Sequence, residues 1–442
     1  MKIELSESFD TKKLLRFTLP SIVMMIFTSI YGVVDGLFVS HFAGKSAFAA
    51  LNFIMPFLCI LGTPGFMIGA GGSAIIARQL GEGDRKRANR TFSLLVYASL
   101  VIGAVLVAVG LLTLEPIAEL LGATGDMLDG CVRYGRIIVI AVPFFILQME
   151  FQTFFSLAER PTHGLLVTVG SGVTNMVLDA LFIGVLSWGL EGAALATAIS
   201  QAVGGIVPLI YFGRENTTPL KIGRCGLDIK ALLNTATNGS SELLSNISMS
   251  LVGMLYNVQL MRYAGEDGVS AYGVMMYITM IFIAVFIGFS MGTAPIVGYH
   301  FGAGNTDELK NLRRRCIRLI IIFSLAMLAF AEAMAYPLSL LFVGYDEALM
   351  SLTARGFMIY SVNFLFAGLG IFGSSFFTAL SNGLISAVIS FFRTVVSQVA
   401  LVLLLPLLLG VDGIWLSITL SELLSMSLTV FFLFKYKKRY NY

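Results

Sequence analysis

The chain has 442 residues, of which 57% are hydrophobic and only 12% charged, with a net charge of +3. A soluble domain is about 45–50% apolar and about 25% charged, so this composition excludes soluble domains: too few polar side chains exist to cover their cores. Apolar runs of about 20 residues or more recur from end to end, each long enough to cross ~30 Å of hydrocarbon as a helix, which excludes a barrel of short alternating strands.

In chain order the runs predict twelve spans, near 14–40, 47–77, 91–113, 134–157, 164–187, 192–212, 237–262, 269–299, 316–336, 357–379, 384–409 and 413–434. The first residues mix acids and bases and lead into an apolar run too long for the core of a cleaved signal peptide, so this run reads as the first span. Residues 214–236 carry Arg, Lys, Thr-Pro and Gly and read as a linker between an N-lobe, 1–213, and a C-lobe, 237–442. With the N-terminus inside, 23 of the 29 Lys and Arg fall on cytoplasmic segments. The positive-inside rule then places both termini in the cytoplasm of a multi-pass protein. The four cysteines (Cys59, Cys131, Cys225, Cys316) and three histidines (His41, His163, His300) are scattered and suggest neither a zinc site nor a disulfide framework. No nucleophile, dyad or metal cluster of an intramembrane enzyme is apparent, and the expectation is a non-enzyme.

A shift of half the length superimposes the two halves. Gly71 falls on Gly292, Gln79 to Asp84 on His300 to Asn305, Gly189 to Gly192 on Gly410 to Gly413, and Ser200 on Ser421. Ala43 and Gly44 likewise fall on Ala264 and Gly265. Six spans per half is an even number, so the repeat is parallel, with its axis along the membrane normal, as in paired transporter lobes. That arrangement points to a carrier working by alternating access. Gly44-Lys45-Ser46 imitates the end of a phosphate-binding loop, but Val39 stands where its first glycine is required. The glycines at 62, 65, 69, 71 and 72 read as close helix packing. With no ATP motor, the energy comes from an ion or substrate gradient.

An ionisable group inside a span costs about 2.5–3.5 kcal/mol or more, so each is a functional candidate. The sequence offers Asp35, Glu150, Asp179, Glu242, Arg393 and Glu422. Tyr31 and Asp35 share a helix face, as do Asn175 and Asp179. With Thr197 they offer the carboxylate, amide and hydroxyl oxygens that small hard cations take as ligands. Two carboxylates brought together repel, and a proton or a sodium ion relieves the repulsion. A sodium ion would sit at Asp35, Asn175, Asp179 and Thr197. Glu150, between Gln148, Met149 and Gln152, could meet a cationic substrate. Arg393 is a counter-ion candidate for one of the acids, and Glu422 reads equally well as structural. Pro20 removes a backbone hydrogen bond inside the first span and offers a bend. Met24, Met55, Met149, Phe151 and Tyr256 could line an adaptable binding surface.

These features together resemble the multidrug and toxic compound extrusion (MATE) family, in its bacterial MepA-like branch, over essentially the full length. The resemblance rests on twelve spans in two lobes, Pro20 followed by Asp35, Asn175 to Ile183, Gly189 to Thr197, and Gly288 to Pro295. It implies an all-α fold of two six-helix lobes and a proton- or sodium-coupled antiporter in the plasma membrane that exports organic cations, drugs or toxic compounds. Carried across, the coupling cluster is Tyr31, Asp35, Asn175, Asp179 and Thr197, with Pro20 as the helix bend. Another branch places key acids in helices 7 and 10, but residues 357–379 contain none, which favours the N-lobe. Expected substrate contacts are Met55, Gln148, Met149, Glu150, Glu242 and Tyr256. The expected partners are amphipathic organic cations or drugs and the lipid bilayer, not nucleic acid. The protein is expected to act as a monomer, with no cofactor beyond the coupling ion. The alternative is a lipid-linked saccharide flippase of the related superfamily, disfavoured because Arg393 is the sole base inside a span.

Overall fold

A computed structural model describes residues 3–39, 42, 45–344 and 346–442. His41, Ala43 and Gly44 lie outside the described residues, so the Gly44-Lys45-Ser46 run has no complete structural counterpart. The described chain is helical throughout, in this order: α1 (Thr11–Phe38), α2 (Lys45–Gly81), α3 (Arg85–Leu120), α4 (Gly125–Leu157), α5 (Pro161–Val185) and α6 (Gly189–Gly213). After a linker comes one continuous helical stretch, Ile229–Gly302, of 74 residues. At 1.5 Å per residue it would be about 110 Å long, over three times the ~30 Å hydrocarbon core. The chain breaks it at Gly265, whose backbone is non-helical at φ 63° and ψ −153°. The two parts are α7, residues 229–264, and α8, residues 265–302. Then follow α9 (Thr306–Val343), α10 (Glu347–Ser361 and Phe364–Ala379, bent by 47°), α11 (Gly383–Leu409) and α12 (Val411–Lys435). Counted this way, the described residues form twelve spans in two lobes of six.

Six of the twelve helices begin where a short polar side chain satisfies an orphan N–H. Asp10 accepts from Lys13 N at 2.7 Å, Asp84 from Arg87 N at 2.9 Å and Asn305 from Glu308 N at 3.1 Å. Asp228 caps α7 through Ala231 N at 3.0 Å, so that helix starts at Ile229, eight residues before its apolar run.

The internal repeat is written into the backbone. Left-handed φ values recur at Gly83 and Gly304, and at Gly189 and Gly410, the pairs that the half-length shift superimposes. These corners demand residues without a Cβ.

Three apolar cores fix the shape. One lies wholly in the N-lobe, built on Val39, Ile54, Tyr134 and Ile183. A second lies wholly in the C-lobe, on Tyr256, Tyr272, Phe364 and Trp415. The third spans both lobes at the end that carries the termini, joining Phe9, Phe92, Phe154 and Phe212 to Phe289, Phe376 and Tyr442. The lobes are thus fused at the terminal end and have separate cores beyond it. Close backbone approach at glycines makes this seam. A Cβ on Gly81 would strike the carbonyl of Tyr299, and one on Gly302 would strike the carbonyl of Arg78. These are the same contact made twice, since each member is the repeat counterpart of the other. Residues 5–9 strap the seam. Leu5 N–H donates to Glu159 Oε1 of the N-lobe at 3.0 Å, and Phe9 N–H donates to Glu308 Oε1 of the C-lobe at 2.9 Å.

Candidate coupling site and central cavity

Inside the N-lobe, α1, α4, α5 and α6 bring together five polar side chains and a tyrosine that the sequence did not single out. The carboxyl groups of Asp35 on α1 and Asp179 on α5 face each other within direct interaction range. Tyr31 sits beside Asp35. One turn before Asp179, Asn175 Nδ2 donates to Thr197 Oγ1 on α6 at 3.4 Å. Tyr134 on α4, 1% exposed, lies beside Thr197 and close to both aspartates. The five sequence-derived residues are therefore one cluster, and Tyr134 completes its wall. A buried tyrosine on an amphipathic helix carries no sequence mark that separates it from core, which is why it was missed.

The chemistry lies in what the cluster lacks. With both carboxyls ionised, Oδ1 of Asp35, both carboxyl oxygens of Asp179 and Oδ1 of Asn175 are buried without a hydrogen-bond donor, and a proton between the two carboxyls would let one bond the other. A buried acceptor left unsatisfied costs about 1–3 kcal/mol, more when charged. Four such oxygens in one place make a receptacle for a positive charge, either protons on the carboxyls or a small cation among the oxygens. Just past Asp179, the last turns of α5 are π-helical over Ala180–Val185. No group of three His, Cys, Asp or Glu side chains gathers here or anywhere else among the described residues.

Polar contacts tie this cluster to the rest of the lobe. Gln148 Nε2 donates to Ser171 Oγ at 3.2 Å, and Ser171 donates on to the carbonyl of Ser200 at 2.7 Å. Pro20 lies in α1, which stays helical through it. Around the proline, α1 is clamped: Ser21 Oγ meets Ser156 Oγ at 3.1 Å. Gly292 of α8 meets Thr18, and Gly288 is tight against Ser21 and Ile22.

A cavity of about 110 Å³ lies between the lobes. Met25, Phe66, Met149 and Gln152 line it from the N-lobe, Glu242, Met291 and Ser375 from the C-lobe. Of the expected substrate contacts, Met149 and Glu242 are on this wall. Glu242 is its single ionisable side chain, and its carboxylate makes no hydrogen bond or ion pair among the described residues. The others lie elsewhere in this conformation. Glu150 is fully buried, with Ser99 of α3 as its polar neighbour. Gln148 is engaged with Ser171, as above. Met55 is half-buried away from the cavity. Tyr256 stacks on Tyr272 with centroids 5.5 Å apart and shares a 2.8 Å hydrogen bond with Ser417. Met24 and Phe151 are core residues, while Met25, one position on, reaches the cavity. A helix turns 100° per residue, and the sequence alone does not set its rotation.

In the C-lobe, Arg393 Nε donates to both oxygens of Glu422 at 2.9 Å. The pair is nearly dry, with side-chain exposures of 16% and 2%. Arg393 also attracts the wall carboxylate of Glu242, which faces the cavity without an ion pair of its own.

The same family model, described as MatE, matches the chain twice, over residues 20–181 and 243–404, once in each half. The multidrug export protein MepA of Staphylococcus haemolyticus (strain JCSC1435) is 25% identical over 435 residues, covering 98% of this chain and 95% of that protein. A crystal structure of MATE in complex with MaL6 superimposes with a TM-score of 0.93 at 23% identity, covering 98% of both chains. An outward-facing multidrug resistance MATE transporter of the MOP superfamily gives the same TM-score at 22% identity, over 98% of this chain and 97% of that one.

Proposed function

Because the chain belongs to the MatE family, we propose that it is a multidrug efflux antiporter of the plasma membrane, exchanging a proton or a sodium ion for amphipathic organic cations. The observation that carries the reading is the set of four unsatisfied buried oxygens on Asp35, Asn175 and Asp179. An ion-coupled carrier needs a site whose charge state changes during the cycle, and these oxygens supply one inside the N-lobe. Tyr31, Tyr134 and Thr197 complete its wall.

The central cavity takes the cargo. Its methionines and Phe66 give an adaptable apolar surface, and Glu242 supplies the negative charge for a cation. At about 110 Å³ the cavity is too small for a drug-sized ligand, whose pockets run ~300–1,000 Å³. Loading therefore requires the lobes to move. The fused terminal end and separate distal cores support a rocking motion in which this end opens and the other closes. The excess of Lys and Arg at the terminal end supports cytoplasmic termini. In this structure α1 is held against α8 at Gly288 and Gly292, so occupancy changes at Asp35 can be transmitted to the seam through the Pro20 region.

A lipid-linked pyrophosphate needs bases in its path, and the cavity wall has none. The test is transport in reconstituted vesicles of a panel of cationic dyes under imposed pH or sodium gradients, with a lipid-linked saccharide as control. Gradient-driven dye accumulation supports the reading; saccharide translocation without dye transport overturns it.

A further inference from the structure

The linker between the lobes is not a free loop. Three polar residues spaced one turn apart on α3 hold it in an extended path. Asn89 Oδ1 accepts from Lys221 N–H at 2.6 Å, and Asn89 Nδ2 donates to the carbonyl of Pro219 at 3.1 Å. Ser93 Oγ accepts from Gly223 N–H at 2.9 Å, and Tyr97 donates to the carbonyl of Gly223 at 3.3 Å. This lacing sets Lys221 and Arg224 alongside Arg85, Lys86 and Arg90 of α3, around a hollow of about 290 Å³ with no carboxylate in its wall. None of these five cations makes an ion pair among the described residues. Asp84 and Asp228 share an adjoining hollow with Lys86 and Arg90, but they cap α3 and α7 through Arg87 N and Ala231 N and pair with none of the five.

A general excess of base at this end of the molecule does not explain the arrangement. The repeat-related start of α9 is also basic, yet three of its five cations are used internally. Lys310 pairs with Asp307 at 3.2 Å, Arg315 donates to Asn311 at 2.5 Å, and Arg313 lies over the ring of Tyr442 at 5.4 Å. At α3, by contrast, the cations line their hollow with no carboxylate in its wall and no ion pair among the described residues. The helix that carries these cations continues as an apolar track. Above Tyr97, the side chains of Val101, Val105 and Val109 follow at intervals of four on α3 and are 45–65% exposed.

We infer that this groove binds the phosphate headgroup of an anionic phospholipid, whose acyl chain lies along the valine track of α3. The five cations supply the charge for the phosphate, and Asn89, Ser93 and Tyr97 act as positioning residues that hold the linker's share of the site. Basic pockets at helix ends on the membrane surface are suited to this ligand class. The linker joins the two lobes, so a bound headgroup would fix it to α3 and tie lobe movement to membrane composition.

The test uses the purified full chain, titrated with dioleoylphosphatidylglycerol or dioleoylphosphatidylcholine and read by native mass spectrometry. One variant combines Lys86→Gln, Arg90→Gln, Lys221→Gln and Arg224→Gln. A control of equal charge change combines Lys435→Gln, Lys437→Gln, Lys438→Gln and Arg439→Gln. The expected result is anionic lipid retained by the native chain and the control, and weakened about tenfold or more in the groove variant. Asn89→Ala alters no charge, and it too should weaken phosphatidylglycerol binding several-fold, which keeps the idea testable if the quadruple variant does not fold. Equal losses in both quadruple variants, equal binding of phosphatidylcholine, or displacement of the lipid by millimolar inorganic phosphate would each overturn the proposal.

Discussion

Asp35 and Asp179 meet in a region where every oxygen must find a partner, and several do not. Their neighbours grade the consequences of substitution. Tyr134→Phe removes one hydroxyl from the cluster wall, and a single hydrogen bond is worth about 0.5–1.5 kcal/mol net. Coupling-ion affinity should fall by up to about tenfold, read as a shift in the ion concentration giving half-maximal transport, with substrate affinity unchanged. The C-lobe pair makes a different prediction. Glu422→Ala strands the buried guanidinium of Arg393, and breaking a buried pair costs about 3–5 kcal/mol. A marked drop in melting temperature in detergent should follow, partly recovered by adding Arg393→Met. At this scale the sequence was most legible where cost is greatest. A carboxylate within a span is expensive enough to announce itself, so Asp35 and Asp179 could be chosen from type and position alone. Tyr134 could not, because tyrosine is at home in a core, a wall or an interface. That Met25 and not Met24 reaches the cavity follows from helix rotation, which only packing sets.

Helices were legible as spans and less so as bodies. The apolar runs mark the hydrocarbon, whereas the helices continue to their caps. Residues 134–157 are the end of α4, which starts at Gly125, and 316–336 is the middle of Thr306–Val343. Two joints escaped the pattern. The expected single span at 357–379 is the second arm and the corner of a bent pair, with Asn363 Nδ2 donating to the carbonyl of Tyr360 at 2.5 Å near the corner. The gap expected between 262 and 269 closes to a hinge at Gly265. With φ 63° and ψ −153°, that residue occupies a region essentially reserved for glycine, costing others about 1–3 kcal/mol. Gly265→Ala should lower stability by that order in a denaturation experiment, while Gly273→Ala, which has open space beside it, should not.

The duplication is the feature on which the whole molecule turns, and it was visible as an offset before it was visible as a shape. Its physical meaning emerged only in the seam, where Gly81 and Gly302 each admit the other half's backbone. In a chain lacking its native cysteines, Ala77→Cys with Gly298→Cys should cross-link after the two helices part slightly, because a Cβ at position 298 would lie 2.9 Å from that of Ala77, inside the about 3.5–4.5 Å that a disulfide spans. The oxidised form should stop transport and reduction should restore it; full transport with the bond closed would mean that this end never opens. The central claim, that charge exchange at the Asp35–Asp179 cluster drives export, is tested most directly by one measurement. Uptake of a cationic dye is followed in reconstituted vesicles under an imposed pH or sodium gradient, for the native chain and for Asp35→Asn at matched insertion. The account predicts uphill accumulation by the native chain and none by the variant; uphill accumulation by Asp35→Asn at the native rate would contradict it.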